Sequence, residues 1–322
     1  MSKTIIETYG MAPVAVYQVR KLLTEPEIGT DPSLVYGVEL EIERLSELRA
    51  SHAVSGMQYH DDGSLRNNGG EFVTNPCKMR ELSYVLNTFF MKNKFTEENY
   101  SERCSTHVHV NVQDFTYDNI MSLCLLYQLY ERVLFAYIGN ERSANIFCVP
   151  WYDTIMVSML DEETLNGFLS QARGWQKYTA LNLLPMQIQG TVEFRHMAGT
   201  HDVARILEWC NIIGCLTSYA RKTPLETLKQ EIISLNTSSR YAGFFAEVFG
   251  QYAELLKSST NFELAMEDGV IQCKRGLSHL LSQKKPVENK RRSLLSEFVL
   301  EATNPNGVAG PLTAPPVFNE VS

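Results

Sequence analysis

Thr191-Val-Glu-Phe-Arg-His-Met197 alternates polar and apolar side chains with the period of a β-strand. Residues two apart on a strand point to the same face. Glu193 and Arg195 therefore share one face of the strand. The opposite face carries the mostly apolar set Val192, Phe194 and His196. This stretch predicts a strand with one chemical face and one face that packs in the core.

Two other segments repeat the alternation. Tyr36-Gly-Val-Glu-Leu-Glu-Ile-Glu43 places Glu39, Glu41 and Glu43 on one face. Ser105-Thr-His-Val-His-Val-Asn-Val112 does the same with His107, His109 and Asn111. If the three strands share a sheet, its apolar face packs on helices and its polar face opens to a cleft. A cleft of carboxylates, imidazoles and a guanidinium suits a metal ion and an anionic ligand.

The composition is that of a globular chain. Of the 322 residues, 44% are hydrophobic and 20% are charged, and no apolar run reaches the length that spans a bilayer. The net charge of −8 argues against a nucleic-acid backbone as the main partner, because such binding depends on Lys and Arg. We therefore expect neither a membrane nor a nucleic acid as a partner.

The amino terminus and the cysteines favour a cytoplasmic protein. The first residues have neither the apolar segment nor the small-residue cleavage site of a secretory signal. The seven cysteines are scattered and never spaced C-x-x-C, which favours reduced thiols over disulfides or a zinc site. We expect these thiols to be structural.

Breaks in the pattern divide the chain into three parts. Residues 1–34 form a lead-in segment. Residues 35–282 form the main domain, with the patterned motifs in 35–220 and a helical part in 221–282. Residues 283–322 combine a basic linker with a Pro- and Gly-rich tail.

Periodicity and capping residues place the individual elements. Strands are expected at 34–45 and 71–73, and helices at 78–93, 120–138, 161–172 and 203–219. Asp118 or Asn119 is the predicted N-cap of the helix at 120–138, and Asp202 that of the helix at 203–219. The apolar stretch at 11–23 predicts a short helix or an extended arm. Strands and helices together predict an α+β fold.

Taken singly, each motif has an ordinary explanation. An E-x-E strand is usually the solvated face of an antiparallel sheet. Two imidazoles on one face can chelate a metal ion or satisfy ordinary hydrogen bonds. Glu193 and Arg195 also fit a simple ion pair of a sheet. Only the joint pattern on three strands favours a functional site.

The joint pattern requires cations. The carboxylates gathered in one cleft (Glu39, Glu41, Glu71 and Glu193) would repel by about 3 kcal/mol per pair at roughly 5 Å. Oxygen-rich sites with an imidazole favour Mg²⁺ or Mn²⁺ over zinc, and Arg195 would face an anion. This combination is typical of phosphoryl transfer. Since neither G-x-x-x-x-G-K-[ST] nor G-x-G-x-x-G is present, ATP would be held by metal, the polar face and basic side chains such as Lys177.

An ordered set of motifs runs through about residues 35–220. It comprises G-V-E-L-E-I-E (37–43), D-G-S-L (62–65), G-G-E-F-V-T-N-P (69–76), C-S-T-H-V-H-V-N-V (104–112), A-L-N-L (180–183), G-T-V-E-F-R-H (190–196) and G-T-H-D (199–202). This set resembles the amidoligases, a family of carboxylate-amine ligases. The resemblance implies an α+β fold with a glutamine synthetase-like antiparallel sheet, a polar concave catalytic face and helices on the other face. It makes 35–282 the catalytic domain.

The resemblance also implies roles for single residues. The implied metal ligands are Glu39, Glu41, Glu71, His107 and Glu193. The implied nucleotide-binding residues are His109, Lys177 and Arg195, and the implied catalytic residues are Arg195 and Glu193. Asp62 is a further acidic residue that matches the motifs. The implied cofactors are ATP and Mg²⁺ or Mn²⁺, with one or two metal ions.

The predicted function is ATP-dependent amide-bond formation through an acyl phosphate, from small-molecule or peptide carboxylates and amines. Two alternatives remain: a metal-dependent hydrolase that needs no ATP, and a degenerate binding or structural protein. The loops at 46–60 and 140–158, with Trp151 and Tyr152, are candidates for the lid and for substrate choice. The identity of the substrates and the oligomeric state stay open at this point.

Overall fold

The three patterned segments form adjacent strands of one antiparallel sheet. The computed structural model describes residues 3–151 and 176–282. Within these residues the sheet has six strands in the order β2-β3-β1-β4-β6-β5. The strands are β1 (Tyr36–Ile42), β2 (Met57–His60), β3 (Gly70–Thr74), β4 (Ser105–Asn111), β5 (Leu181–Asn182) and β6 (Thr191–Ala198). All neighbouring pairs are antiparallel, so the predicted α+β class with an antiparallel sheet is confirmed.

Helices supply the remaining regular structure of the described residues. They are α1 (Ile5–Tyr9), α2 (Met79–Asn93), α3 (Tyr117–Ile138), α4 (Val203–Lys222), α5 (Leu225–Ser234), α6 (Ser238–Phe249), α7 (Ala253–Ser258) and α8 (Phe262–Ser282). The helices predicted at 78–93, 120–138 and 203–219 are present. The helix predicted at 161–172 and the tail at 283–322 lie outside the described residues.

The core lies between the apolar face of the sheet and the helices. The apolar positions of β1, β4 and β6 are fully buried in one cluster with α2, α3 and α4. Helix α3 is buried on nearly every side, since consecutive residues from Ile120 to Glu131 are all inaccessible to solvent. A helix of this kind belongs to the interior rather than to a surface layer. The opposite face of the sheet is left to polar side chains.

Capping residues explain where the central helices begin. The N-cap of α3 is Thr116, whose hydroxyl accepts the N–H of Asn119 while the Asn119 side chain accepts the N–H of Thr116. The prediction of Asp118 or Asn119 as the cap was therefore wrong by two to three residues, because Asn119 is the reciprocal partner of the cap. Asp202 caps α4 as predicted, by accepting the N–H of Arg205.

The lead-in segment combines a short helix with a largely irregular stretch. Its helix, α1, is capped by Thr4 and ends at Tyr9 with Gly10 as C-cap, ahead of the apolar stretch at 11–23. Within that stretch only the short 3₁₀ turn Arg20–Leu22 is regular. The short edge strand β2 was not predicted, because Met57–His60 lacks a run of alternating apolar residues.

Contacts group residues 1–280 into one compact unit. All seven cysteines are free thiols, and only Cys215 is more than marginally exposed. Among the described residues, no helix combines the length and the apolar character needed to cross a membrane.

Candidate active site

Strand register builds the candidate site across four neighbouring strands. Glu39 on β1 lies opposite His107 on β4, and Glu41 on β1 lies opposite Glu71 on β3. His109 on β4 lies opposite Glu193 on β6. Because opposite residues of an antiparallel pair project to the same side, the register gathers these side chains on one face. One cleft is lined by all of the predicted site residues, namely Glu39, Glu41, Glu71, His107, His109, Lys177, Glu193 and Arg195.

The two histidines lie between carboxylates. His107 Nδ1 is 3.3 Å from Glu39 Oε2 and 3.2 Å from Glu193 Oε1, and its Nε2 is 3.8 Å from Glu41. His109 Nε2 is 3.0 Å from the other oxygen of Glu39. Its Nδ1 is 2.9 Å from the hydroxyl of Thr191, which fixes the plane of the ring. Both imidazoles are thus oriented by neighbours on the sheet.

These contacts shift the pKa values of Glu39 and His109. Burial raises the pKa of Glu39, but hydrogen bonds from His107 and His109, together with their charge, outweigh burial and hold that pKa well below its usual value. Burial lowers the pKa of His109, but the hydrogen bond and charge of Glu39 leave it above the ordinary value. The contact between Glu39 and His109 therefore favours the charged form of both side chains.

The acids on the other side of Glu39 behave differently. Burial raises the pKa of Glu41, even though Glu41 accepts the N–H of Ser105 at 2.7 Å. Burial, followed by the charges of Glu39, Glu41 and Asp62, raises the pKa of Glu71 to about 9. Here neighbouring acids repel one another. A divalent ion would remove this repulsion and displace the proton of Glu71.

Overlapping groups of acids and imidazoles have ligand atoms close enough to hold metal ions. The groups are Glu39, His109 and Glu193; Glu39, Glu71 and His107; and Glu41, Asp62 and Glu71. Within each group the ligand atoms lie within 4.8 Å of one another. The buried Nε2 of His107 has no hydrogen-bond partner, which leaves its lone pair for a ligand. Carboxylate oxygens with one or two imidazoles fit Mg²⁺ or Mn²⁺.

Glu193 and Arg195 form a fixed pair at the β6 side of the cleft. Arg195 Nη1 donates to Glu193 Oε1, and Asn182 on β5 donates to the other oxygen at 2.7 Å. Arg195 Nε donates to the carbonyl of Phe147 at 3.1 Å. The remaining guanidinium surface still lines the cleft. It can therefore neutralise an anion that lies beside Glu193.

The cleft has a basic rim and a neutral continuation. Lys177 is exposed at the rim, where Arg103 also contributes to the lining. Past Glu39 and His109, the same face of the sheet continues as a cavity lined by neutral residues, among them Gly37 and Val73. Gly37 lies opposite His109, and a Cβ there would contact the His109 Cβ at 3.7 Å, so the glycine leaves the floor open.

A comparison with family models identifies the family of the chain. The model described as "Putative amidoligase enzyme" matches residues 46–214, which is more than half of the chain. The chain belongs to this amidoligase family. No curated protein matches it. The matched range includes Glu71, His107, His109, Glu193 and Arg195, whereas β1, with Glu39 and Glu41, precedes it.

One acidic residue of this amidoligase does not join the predicted cluster. Glu43 was grouped with Glu39 and Glu41 by alternation, but β1 ends at Ile42 and Arg44 has a positive φ of 56°. Glu43 instead accepts the backbone N–H of Arg66 at 2.7 Å and the Asn67 amide at 3.2 Å. It anchors the loop that carries Asp62 into the cleft.

The loop predicted as a lid at 140–158 is anchored in its described part. Trp151 is buried, and its indole N–H donates to the carbonyl of Leu181 at 2.9 Å. Arg142 is also buried, and Phe147 holds Arg195 through its carbonyl. This segment supports β5 and β6, and its Phe147 also lines the cleft, so its role as a lid stays a prediction. Residues 152–158, with Tyr152, lie outside the described residues. The other predicted lid loop, at 46–60, contains edge strand β2.

Sequence reasoning overlooked some of the residues that build the site. Asn182 stands in the A-L-N-L motif and received no role, although its motif position was the available signal. Arg103 follows Glu102 in a turn without periodicity, and Arg142 lies in a stretch that resembles an irregular connection. Neither arginine carries a pattern in the sequence that marks it.

Proposed function

We propose that this amidoligase is an ATP-dependent carboxylate-amine ligase that forms an amide bond through an acyl phosphate. One observation carries the proposal: side chains from β1, β3, β4 and β6 converge in one cleft as an acidic cluster with two imidazoles and a guanidinium. We further propose that the sheet is of the glutamine synthetase type. Membership of the amidoligase family supports amide-bond formation as the chemistry.

The residues divide into three roles in this proposal. Glu39, Glu41, Glu71, His107 and Glu193 would hold one or more Mg²⁺ or Mn²⁺ ions. When bound, such ions neutralise phosphate oxygens and polarise the phosphoryl group that is transferred. The nucleotide phosphates would lie against His109, Lys177 and Arg195.

The chemistry proceeds in two balanced steps. A carboxylate oxygen of the acid substrate attacks the γ-phosphorus of ATP, the bond to the β–γ bridging oxygen breaks, and ADP leaves. The amine then attacks the carbonyl carbon of the acyl phosphate, inorganic phosphate leaves, and the amine loses a proton. Arg195 faces the transferring group and stabilises its charge, and Glu193 holds the Arg195 guanidinium in that position.

Turnover assays test this function. ADP release with Mg²⁺ that requires both a carboxylate and an amine, with a mass gain equal to the amine minus water, is the expected result. Pools of amino acids, peptides and small amines serve as substrates, because the family implies small molecules without naming them. Cleavage of amides or esters without nucleotide would refute the ligase and favour a metal-dependent hydrolase.

Variants of the acidic cluster test the site separately. Glu193→Ala and Glu41→Ala should lose metal-dependent binding of ATP while they stay folded, because each removes a proposed ligand. Glu226→Ala is the matched control, since Glu226 is an exposed acid that pairs with Lys229 on α5, outside the cleft. Calorimetric titration with Mg-ATP measures the effect. Parent-like affinity in both cluster variants would place the site elsewhere.

A further inference from the structure

The ladder between β4 and β6 contains a β-bulge at the candidate site. Thr106 lies opposite Met197 and Val108 lies opposite Phe194, so His107 alone faces two residues, Arg195 and His196. A bulge releases backbone groups from the ladder and re-aims the side chains beside it. In this protein the bulged residues lie two and three positions after Glu193. The direction of Glu193 and Arg195 toward the cleft therefore depends on how the bulge is held.

One buried arginine outside the cleft holds the bulge. Arg142 Nε donates to the carbonyl of His196 at 3.0 Å, and Nη2 donates to the carbonyl of Arg195 at 3.2 Å. Nη2 also donates to the hydroxyl of Ser105 on β4 at 2.9 Å. The planar guanidinium thus binds both bulged carbonyls of β6 and ties them to the neighbouring strand.

The same contacts reach the acidic cluster by two routes. Ser105, which accepts from Arg142, donates its backbone N–H to Glu41 Oε2 at 2.7 Å. Arg195, whose carbonyl is bound by Arg142, contacts Glu193 through its side chain. Arg142 is only 4% exposed and does not line the cleft. Burying a guanidinium is unfavourable, and these hydrogen bonds go to carbonyls and a hydroxyl rather than to a carboxylate. Stability alone therefore does not account for an arginine at this position.

We propose that Arg142 is a positioning residue that fixes the β6 bulge so that Glu193 and Arg195, together with Glu41, keep the geometry of a divalent-cation site. The inference rests on the proposed function only in taking the cluster as a cation site. Residues that orient metal ligands from behind typically account for roughly 10- to 100-fold in metal affinity. Arg142 acts on the ligands in this way without touching the ion.

The test compares Arg142→Lys with a matched control. Lysine keeps the charge but lacks the planar guanidinium whose two nitrogens donate to the two carbonyls. Arg80→Lys changes a second buried arginine, which contacts Glu81 and the carbonyl of Glu25 on the α2 side of the molecule. Mn²⁺ affinity, measured by paramagnetic resonance or calorimetry, should fall roughly 10- to 100-fold in Arg142→Lys and stay at the parent value in Arg80→Lys. Thermal melts of both variants show how much stability each loses.

Chemical rescue separates positioning from general stability. In Arg142→Ala, guanidinium at a low, non-denaturing concentration should restore Mn²⁺ affinity, whereas methylammonium should not. Only guanidinium can donate to both carbonyls at once. Ser105→Ala, which removes one partner of Arg142 with little loss of volume, is the variant to use if the arginine variants do not fold, and its affinity should fall in the same direction. Parent-like Mn²⁺ affinity in the folded Arg142 variants, or in Ser105→Ala if these do not fold, would overturn the inference even if they melt earlier. A parent protein that binds no Mn²⁺ would instead refute the proposed cation site.

Discussion

His196, on the core face of β6, should make the protein acid-sensitive. Burial, assisted by the charge of Arg142, lowers the pKa of its imidazole to about 3 from an ordinary value of 6.5. His196 Nε2 is 2.9 Å from the hydroxyl of Tyr127, and the ring packs against Phe135 and Trp209. In the folded state the ring therefore stays neutral, whereas the unfolded chain binds a proton below about pH 6.5.

The size of the effect follows from this difference in pKa. Between pH 6.5 and pH 3 the unfolded state holds more protons than the folded state, so the free energy of unfolding decreases as the pH falls. A pH of 5 lies 1.5 units below 6.5, the ordinary pKa of the imidazole in the unfolded chain. At about 1.4 kcal/mol per pH unit, protonation of the unfolded chain lowers the free energy of unfolding by about 2 kcal/mol. The ring is fully buried, so solvent screening does not reduce this value.

Urea unfolding at pH 7.5 and pH 5.0 measures the effect in the parent and in His196→Phe. Phenylalanine keeps an aromatic ring in the pocket and cannot bind a proton. The variant should lose about 2 kcal/mol less than the parent between the two pH values, whatever its stability at pH 7.5. His60→Gln, at an exposed position on β2, controls for the loss of an imidazole elsewhere. If His196→Phe loses as much stability as the parent, the assignment of a neutral buried ring is refuted.

Two further predictions concern acids of the cleft and its supporting loop. Glu71→Gln should stabilise the metal-free protein more at pH 8.5 than at pH 6. Burial and neighbouring acids raise the pKa of Glu71 to about 9, so the stability of the parent falls as the pH rises above the unfolded pKa near 4.5. Thermal melts in chelator at the two pH values check this, and an equal shift in melting temperature at both would contradict it. Glu43→Ala should lower the free energy of unfolding by about 2 kcal/mol, since it leaves the N–H of Arg66 and the Asn67 amide without their acceptor. Urea unfolding measures the loss, with the exposed Glu47→Ala as the control. Equal stability of the two variants would show that Glu43 does not anchor the loop.

The sequence predicts the strands of the site well because their signal is local. Alternation with period two in β1, β4 and β6 requires only neighbouring residues, and it places Glu39, His107 and Glu193 on the polar face. The limit of this signal is the strand end. Alternation assigns Glu43 to the cluster, but β1 ends one residue before it, at Ile42, and the backbone becomes left-handed at Arg44.

Contacts between distant parts of the chain leave no such signal. Arg142 meets His196, which is 54 residues away, and its own surroundings from 140 to 151 have no period that predicts a buried position. The bulge that it supports depends on the pairing of β4 with β6, which alternation alone does not specify. Likewise Thr116 and Asp118 are equally good caps by residue type, and only the reciprocal contact with Asn119 decides between them.

The alternation of acid and core residues on β1 constrains how this protein can change. Each carboxylate of β1 is one peptide unit from a side chain that is fully enclosed by the helices. Shifting that strand by one residue would exchange the two sets, so that carboxylates would enter the interior and valine and leucine would reach water. Point substitutions on the polar face can alter chemistry one group at a time, whereas a single-residue deletion within β1 would destroy ligands and interior together. We therefore expect insertions and deletions to be tolerated only in the connections outside the central strands.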